Sequence, residues 1–381
     1  MIINPRKILF LIVTLACSYG VAGAQDFLWK VDFDFRFDNR EYTGMEFGQS
    51  KTIFGTRFSP EIGLGWGTPH YRGRPHKLMA GVELTADFGT SKIDSYEPIL
   101  YYNYTSPRVF DLYAGSFPRS ILKGNYSTAF FSDEVRFYHN LIQGYYMRYG
   151  GDGPSYVEMA IDWNSKLMGR NREKFMMISS GRLDLDRLNL RTRPFLYAGY
   201  DFMMYHYAAS EVVTGVMDNI LIYPHVGMVW TFYREGYPII IGAYNPNFPE
   251  LSVKAGWLFS MQRDRNGQAG FMNNGGLQCE VGFRWKGFGI SETLYLGGDI
   301  MKYYDAADPS GVQYGDGLYF GDTFYRTNTG VYNRLELFWE KYIGSGVNLK
   351  VSSVHHYDGA KWGWQQVLTI GVRLDSKLFG R

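Results

Sequence analysis

The sequence predicts an all-β protein, a single closed antiparallel transmembrane β-barrel of about 16 strands (roughly 14–18), with short turns at one end and longer loops at the other. Three observations predict this fold: apolar and polar residues that alternate along long segments, connections that alternate between short and long, and a high aromatic content. Tyr, Phe and Trp make up 18% of the 381 residues, and 45 residues are glycine. That composition suits many strands better than helices.

The first residues predict a cleaved secretory signal peptide over 1–24. A basic pair precedes an apolar run at 8–17, and Ala22-Gly23-Ala24 is a small-residue cleavage signal. The run is too short to span a membrane. We therefore expect cleavage after Ala24, and one barrel domain over 25–381 that is exported to the outer membrane. The alternative is a lipoprotein processed at Cys17.

Charge and cysteine content exclude several classes of protein. Segment 1–24 holds two of the 39 basic residues and none of the 37 acidic residues, so the rest of the chain is balanced. That balance argues against a dedicated nucleic-acid binder. Only Cys279 remains after residue 24, so neither an intramolecular disulfide nor a paired-cysteine metal site is possible.

The clearest strand is WKVDFDFRF, from Trp29 to Phe37. Its odd positions are large and apolar and its even positions are charged, so a strand would have one apolar face and one charged face. Similar alternation recurs in 78–88, 156–163, 277–286 and 368–374. A soluble β-sandwich and a membrane barrel both use such strands.

Three features favour the membrane barrel over the sandwich. Several segments reach the ~9–11 residues that a tilted strand needs to cross a bilayer. Tight connections at 150–154, 286–289 and 343–346 alternate with longer ones, as in outer-membrane barrels. Tryptophans fall near the predicted strand ends, where an aromatic girdle would lie; they are Trp29, Trp66, Trp163, Trp230, Trp257, Trp285 and Trp339. The predicted strands are 27–38, 54–66, 77–88, 96–103, 108–117, 140–149, 155–164, 174–182, 193–206, 218–233, 247–261, 276–286, 289–300, 329–342, 347–357 and 364–375.

With its export signal, its WKVDFDFRF-type strands and its last strand VLTIGVRLD, the chain resembles the porin-like outer-membrane β-barrel proteins of Gram-negative bacteria. The stretch YAGSFPR, a strand that runs into a long loop, is similar to porin-like barrels. The resemblance implies outer-membrane lipid and the barrel assembly machinery as partners, with a homo-oligomer possible. Neither a cofactor nor a nucleic-acid partner is predicted. The chain ends in LFGR, whereas the family pattern ends on an aromatic residue of the last strand.

The polar face of each strand predicts the lining of a lumen. Sixteen strands leave room for an aqueous channel, so the leading prediction is a water-filled, non-enzymatic pore for small polar solutes. The alternative is that the charges pair and the lumen is plugged. The predicted lining residues are Lys30, Asp32, Asp34, Arg36, Glu83, Asp87, Asp111, Glu158, Asp162, Asp201, Lys254, Glu280, Arg284, Arg334, Glu336, Lys350 and Arg373.

Segment 118–138 is the predicted constriction, because it is long and follows the fifth strand. It carries charges of both signs, which would set up a transverse field if the segment folds inward. These charges are Arg119, Lys123, Asp133, Glu134 and Arg136. Otherwise the segment is a solvated outer loop.

Two other functional classes stay open. A receptor or adhesin would use the Tyr-, Gly- and Asp-rich loop 301–328, where aspartates could also hold Ca²⁺. A surface hydrolase would use a histidine with a carboxylate near the outer strand ends. His355-His356 with Asp358 is the nearest match, although no metal site and no catalytic motif is predicted.

Overall fold

The computed structural model describes residues 25–90, 92–151, 153–169, 171–185, 195–212, 214–232, 248–267 and 270–376. The predicted signal segment 1–24 and the LFGR end lie outside these ranges. So do most of two connections that were predicted to be turns, near 183–192 and 234–246.

Sixteen strands form one closed antiparallel barrel, which confirms the predicted fold class. Each strand pairs with its sequence neighbours, and β1 closes the sheet against β16, with Phe33 opposite Val372. The strands are β1 (Asp26–Glu41), β2 (Lys51–Trp66), β3 (His76–Asp87), β4 (Ser95–Thr105), β5 (Phe110–Pro118), β6 (Leu141–Tyr149), β7 (Tyr156–Ser165), β8 (Lys174–Asp184), β9 (Phe195–Tyr207), β10 (Met217–Thr231), β11 (Glu250–Asp264), β12 (Met272–Trp285), β13 (Phe288–Gly297), β14 (Val331–Ile343), β15 (Val347–Tyr357) and β16 (Trp362–Asp375).

The alternation in β1 places its charges inside the barrel and its aromatic residues outside. Asp32 and Arg36 are buried on the inner side. The outer face continues across the neighbouring strands, where the ring centroids of Phe35 and Phe54 are 5.2 Å apart. Because hydrocarbon cannot satisfy free backbone groups, a sheet with such an outer face must close on itself.

The two ends of the barrel differ in their connections. At the end that carries the first and last strand termini, the link between β12 and β13 is the two-residue turn Lys286-Gly287. Both residues have positive φ angles, 51° and 88°, as a tight hairpin turn requires. The opposite end carries the longest described connections, 119–140 and 298–330. We call it the outer end, because an even strand number places both termini on the periplasmic side.

The tryptophan prediction holds for most positions and is wrong for Trp257. Trp66 and Trp285 are the last residues of β2 and β12. Trp257 instead lies mid-strand in β11, opposite Leu277. The predicted strand 247–261 stops three residues short of the real end at Asp264, so the sequence boundaries misplaced this residue.

Helices contribute little to the fold. The α-helix α1 (Asp133–Tyr138) lies in the connection after β5, and short 3₁₀ turns occur at Arg119–Ile121, Gly315–Gly317 and Thr323–Arg326. Among the described residues, none of the helices is long and apolar enough to cross a membrane.

Candidate functional site: a cavity at the outer end of the lumen

Two long connections fold into the lumen from the outer end. We call 119–140 the β5–β6 loop and 298–330 the β13–β14 loop. They meet inside the barrel through backbone hydrogen bonds: Ser132 N donates to Phe320 O at 2.8 Å, and Asp322 N donates to Thr128 O at 2.8 Å. Together they narrow the outer half of the lumen.

Buried carboxylates of β7 hold the β5–β6 loop in place. Arg119 donates to Asp162 at 2.6 Å. Glu158 accepts backbone N–H bonds from Lys123 and Gly124, both at 2.7 Å, and hydroxyl bonds from two tyrosines. Because charged acceptors make stronger hydrogen bonds than neutral ones, these contacts give the loop a fixed position.

Helix α1 ties the same loop to the barrel wall. The Ser132 hydroxyl caps the helix by accepting from Val135 N, and two acidic residues follow it. Glu134 pairs with Arg40 at 2.7 Å and with Lys51 at 2.8 Å. Asp133 pairs with Arg334 across the lumen at 2.9 Å. An acidic first turn also suits the helix dipole.

The β13–β14 loop was predicted to be an outer loop, and much of it lies inside instead. The Tyr319 hydroxyl donates to Gln262 at 2.7 Å, and the Tyr325 hydroxyl donates to Gln278 at 2.9 Å. Both tyrosines are almost fully buried. Burial of large rings with satisfied hydroxyls stabilises the inserted form.

Every predicted lining residue lies on the inner side of its strand, and the predicted constriction charges lie on the inserted β5–β6 loop. Most of these charged side chains pair with a neighbouring charge of opposite sign. Lys254 contacts Glu280 at 2.9 Å and Lys350 contacts Glu336 at 2.5 Å. Further pairs include Lys30–Asp32, Lys30–Glu61, Arg36–Asp38, Arg57–Asp34, Arg373–Asp34, Arg72–Asp111, Arg148–Asp111 and Arg284–Glu250. Asp87 accepts from the Tyr138 hydroxyl at 2.6 Å. In Asp201, the Oδ2 atom has no hydrogen-bond partner in the described parts of the chain.

The middle of the lumen is filled by aromatic side chains. Four large aromatic side chains inside the barrel wall are at most 1% exposed to solvent: Phe117, Phe130, Tyr146 and Tyr223. Side chains that dense exclude water from much of the cross-section. Which charges pair and which rings fill the lumen depends on cross-strand register, and the sequence alone did not show it.

Above this layer lies a cavity of about 560 Å³, which we call the outer cavity. The walls come from the outer ends of β1, β14, β15 and β16 and from both inserted loops. Its charged and polar lining includes Arg40, Lys51, Asp133, Glu134, His139, Asp322, Arg326, Arg334, His356 and Gln365. Beside it, the connection between β15 and β16 is short and spans only 358–361.

His139 is the accessible imidazole of the outer cavity. It follows helix α1 directly and is exposed, and its ring makes no hydrogen bond within the described residues. Partial burial, together with the nearby Arg119 guanidinium, lowers the pKa of His139 below its ordinary value. The ring is therefore neutral at neutral pH and able to accept a proton.

His355, His356 and Asp358, the nearest match to a hydrolase site in the sequence, do not come together in the structure. His356 is 1% exposed, and its two ring nitrogens contact the Tyr332 hydroxyl at 3.0 Å and Gln365 at 3.2 Å. His355, which precedes His356 on β15, points toward the membrane, because the side chains of adjacent residues on a strand point to opposite faces of the sheet. Asp358 accepts backbone bonds from its own turn instead.

The aspartates of loop 301–328 that the sequence offers for Ca²⁺, Asp305 or Asp308 with Asp316 and Asp322, each have other partners and do not form a common site. Asp305 pairs with Arg326, Asp308 with Arg172 at 3.1 Å, and Asp316 accepts from Tyr304. No group of three potential metal ligands occurs in the part of the chain that the structure describes.

The closed sheet, with its apolar outer face and its polar inner face, defines a transmembrane β-barrel of outer-membrane type. The chain belongs to the family described as lipid A 3'-O-deacylase-type, whose model matches residues 25–378. No curated protein matches the sequence.

Solved Pseudomonas aeruginosa barrels give weaker matches. The outer membrane protein OpdK is 9% identical with a TM-score of 0.44, over 92% of this chain and 99% of that one. OccK5 (OpdH) is 11% identical with a TM-score of 0.48, over 92% and 98%. OpdL is 13% identical with a TM-score of 0.47, over 92% and 99%. Similarities this low carry no inference about function.

Proposed function

We propose that the protein is an outer-membrane hydrolase that removes an ester-linked acyl chain from a glycolipid of the outer leaflet, with the outer cavity as its active site. The observation that carries the proposal is the neutral, accessible His139 in an outward-facing cavity. Family membership supports it, since the family is named for lipid A deacylation.

The chemistry needs a water molecule and a proton carrier. The His139 imidazole removes a proton from water as the water oxygen attacks the ester carbonyl carbon. The carbonyl carries negative charge in the resulting intermediate, and cations of the cavity such as Arg40 and Lys51 would stabilise it. The bond to the sugar oxygen then breaks, and the imidazolium returns its proton to that oxygen. The products are a fatty acid and a free sugar hydroxyl.

A direct assay tests this proposal. Refolded protein is mixed with lipid A in detergent micelles, and released fatty acid is measured by mass spectrometry. We expect His139→Ala to reduce kcat by about 10²–10⁴-fold, the usual contribution of a general base. The activity of the unchanged protein should fall only below the pH at which a free imidazole titrates, because burial lowers the pKa of His139.

His355→Ala is the matched control, because His355 lies on the membrane-facing side of β15, away from the cavity. It should leave kcat unchanged. Equal loss in both variants, or no fatty acid release by the unchanged protein, would contradict the assignment of His139.

Passage of small polar solutes is the second candidate, and it remains the prediction made from the lumen charges. Solvent reaches the barrel interior at Arg136, which is exposed although it lies on an inserted loop. Single-channel recording in a planar bilayer distinguishes the two. Stable conductance steps would support a pore, and the reversal potential in a salt gradient would give the sign of its selectivity. A folded barrel without conductance would support the hydrolase.

A further inference from the structure

The outer rim of the barrel wall carries a cationic row on its membrane-facing side. Phe175, His206, Asp218 and Arg263 lie opposite one another on β8, β9, β10 and β11. Met203, Leu221 and Gln262 lie an odd number of residues from His206, Asp218 and Arg263 along the same strands, and all three are buried on the inner side. The side chains of the row therefore point outward, toward the membrane. Arg265 follows β11 directly.

A single carboxylate contacts all three basic side chains of this row. Asp218 contacts Arg265 at 2.7 Å, His206 at 2.8 Å and Arg263 at 3.5 Å. One negative charge therefore faces two permanent positive charges and a titratable ring. Arg265 leaves 45% of its side chain exposed. Within the described residues, Nε of Arg263 has no hydrogen-bond partner.

Aromatic rings surround the cations on the same surface. The Arg263 guanidinium lies 4.8 Å from the centre of the Phe271 ring. Phe175 stacks against Trp163 and packs 5.0 Å from His206. Aromatic girdles of barrels lie at the membrane–water interface, so the row lies at the level of the lipid headgroups.

Another stretch of the outer rim carries no charge. In the same position across β15, β16, β1 and β2, the row reads Ser353, Gln366, Asn39 and Thr52, all neutral. Charge on the membrane face of a barrel costs stability unless it lies near the interface. The surplus of arginine on one side therefore needs an anionic partner in the headgroup layer.

We infer that the two arginines of this row, Arg263 and Arg265, with the rings of Phe175 and His206 beside them, form a binding site for the phosphate groups of an outer-leaflet glycolipid. Guanidinium groups bind phosphate through two parallel hydrogen bonds, and the surrounding rings cover the acyl chains beneath the headgroup. The site lies on the outside of the barrel wall and is separate from the outer cavity, so it does not depend on the proposed hydrolase.

Lipid retention tests the site. Refolded protein is reconstituted into phosphatidylcholine vesicles that contain lipid A, either phosphorylated or with its phosphates removed. The protein is then extracted in mild detergent, and bound glycolipid is counted by native mass spectrometry. We expect the unchanged protein to retain the phosphorylated glycolipid. The double variant Arg263→Gln/Arg265→Gln should retain at least about tenfold less of it.

Two further variants separate binding from structural bracing. Asp218→Asn removes the competing carboxylate and should retain as much glycolipid or more. Lys286→Gln removes a cation beside Trp285 at the opposite end of the barrel and should change nothing. If the double variant fails to fold, as judged by heat-resistant gel mobility, the mostly exposed Arg265→Gln replaces it.

Equal retention of the dephosphorylated glycolipid, or loss of binding in Asp218→Asn, would overturn the inference. Retention of phosphatidylcholine alone would do the same. Because retention is measured without catalysis, a negative fatty-acid assay leaves this result unaffected.

Discussion

At the scale of the residue, the lumen depends on single carboxylates that each organise several donors. Glu158 is 1% exposed and accepts from two backbone amides and from the hydroxyls of Tyr126 and Tyr146, at 3.1 and 3.0 Å. A buried charge is tolerable when its surroundings satisfy it this fully. Removal would leave four donors without their acceptor.

Glu158→Ala should therefore destabilise the barrel and free the β5–β6 loop. We expect a loss of about 3 kcal/mol or more in the free energy of unfolding, since each unsatisfied buried donor costs ~1–3 kcal/mol. Urea unfolding of the detergent-refolded protein measures it. Glu211→Ala, in an exposed outer connection, is the matched control. A loss no greater than that of the control would show that the loop does not depend on this carboxylate.

At the scale of the element, the position of helix α1 depends on ion pairs with three strands. Burial alone would raise the pKa of Asp133, but Arg334, Arg36 and Arg136 outweigh that effect and hold it well below its ordinary value. Arg40 and Lys51 likewise lower the pKa of Glu134 against the opposing effect of burial.

These depressed pKa values predict how the helix responds to acid. Each carboxylate adds its full stabilisation above its unfolded pKa, which is ~4 for such groups, and the stabilisation is lost as the pH falls through the folded pKa. Helix α1 should therefore stay docked at pH 5 to 7 and detach only well below about pH 4. Hydrogen exchange of amides 133–138 at a series of pH values measures this.

The charge-removing variant Asp133→Asn/Glu134→Gln should exchange rapidly at neutral pH as well. Protection in this variant equal to that of the unchanged protein would show that packing, rather than charge, holds the helix.

At the scale of the whole molecule, the barrel is wide enough for a channel, but its own loops narrow the lumen. Sixteen strands leave more interior space than their own side chains fill. Here the β5–β6 and β13–β14 loops occupy the outer half, and rings such as Phe130 and Tyr223 fill the middle. Loop insertion therefore determines how much of the lumen is left open.

Replacing residues 121–137 with a short Gly-Ser linker should open the lumen. We expect the variant to show conductance steps in a planar bilayer that are larger than any steps of the unchanged protein, because Phe130 and helix α1 are removed together. Heat-resistant gel mobility must first show that the variant folds. A folded variant with unchanged conductance would mean that the β13–β14 loop alone closes the barrel.

The sequence by itself determined the barrel. A strand's faces alternate with period two, so segments such as Trp29–Phe37 reveal both faces without any knowledge of their neighbours. All sixteen strands were predicted, mostly within a few residues of their observed bounds. The inner position of charges such as Asp32 and Glu158 follows from the same local rule.

Only the tertiary structure decided what the lumen contains. The insertion of the β13–β14 loop, the pairing of Arg334 with Asp133 and the accessible position of His139 all join residues that are distant in sequence. Such contacts depend on strand register and on how long loops pack, and a single sequence encodes neither locally. The same reason separates His355 from His356: they are adjacent in sequence, but the sheet places them on opposite sides of the wall.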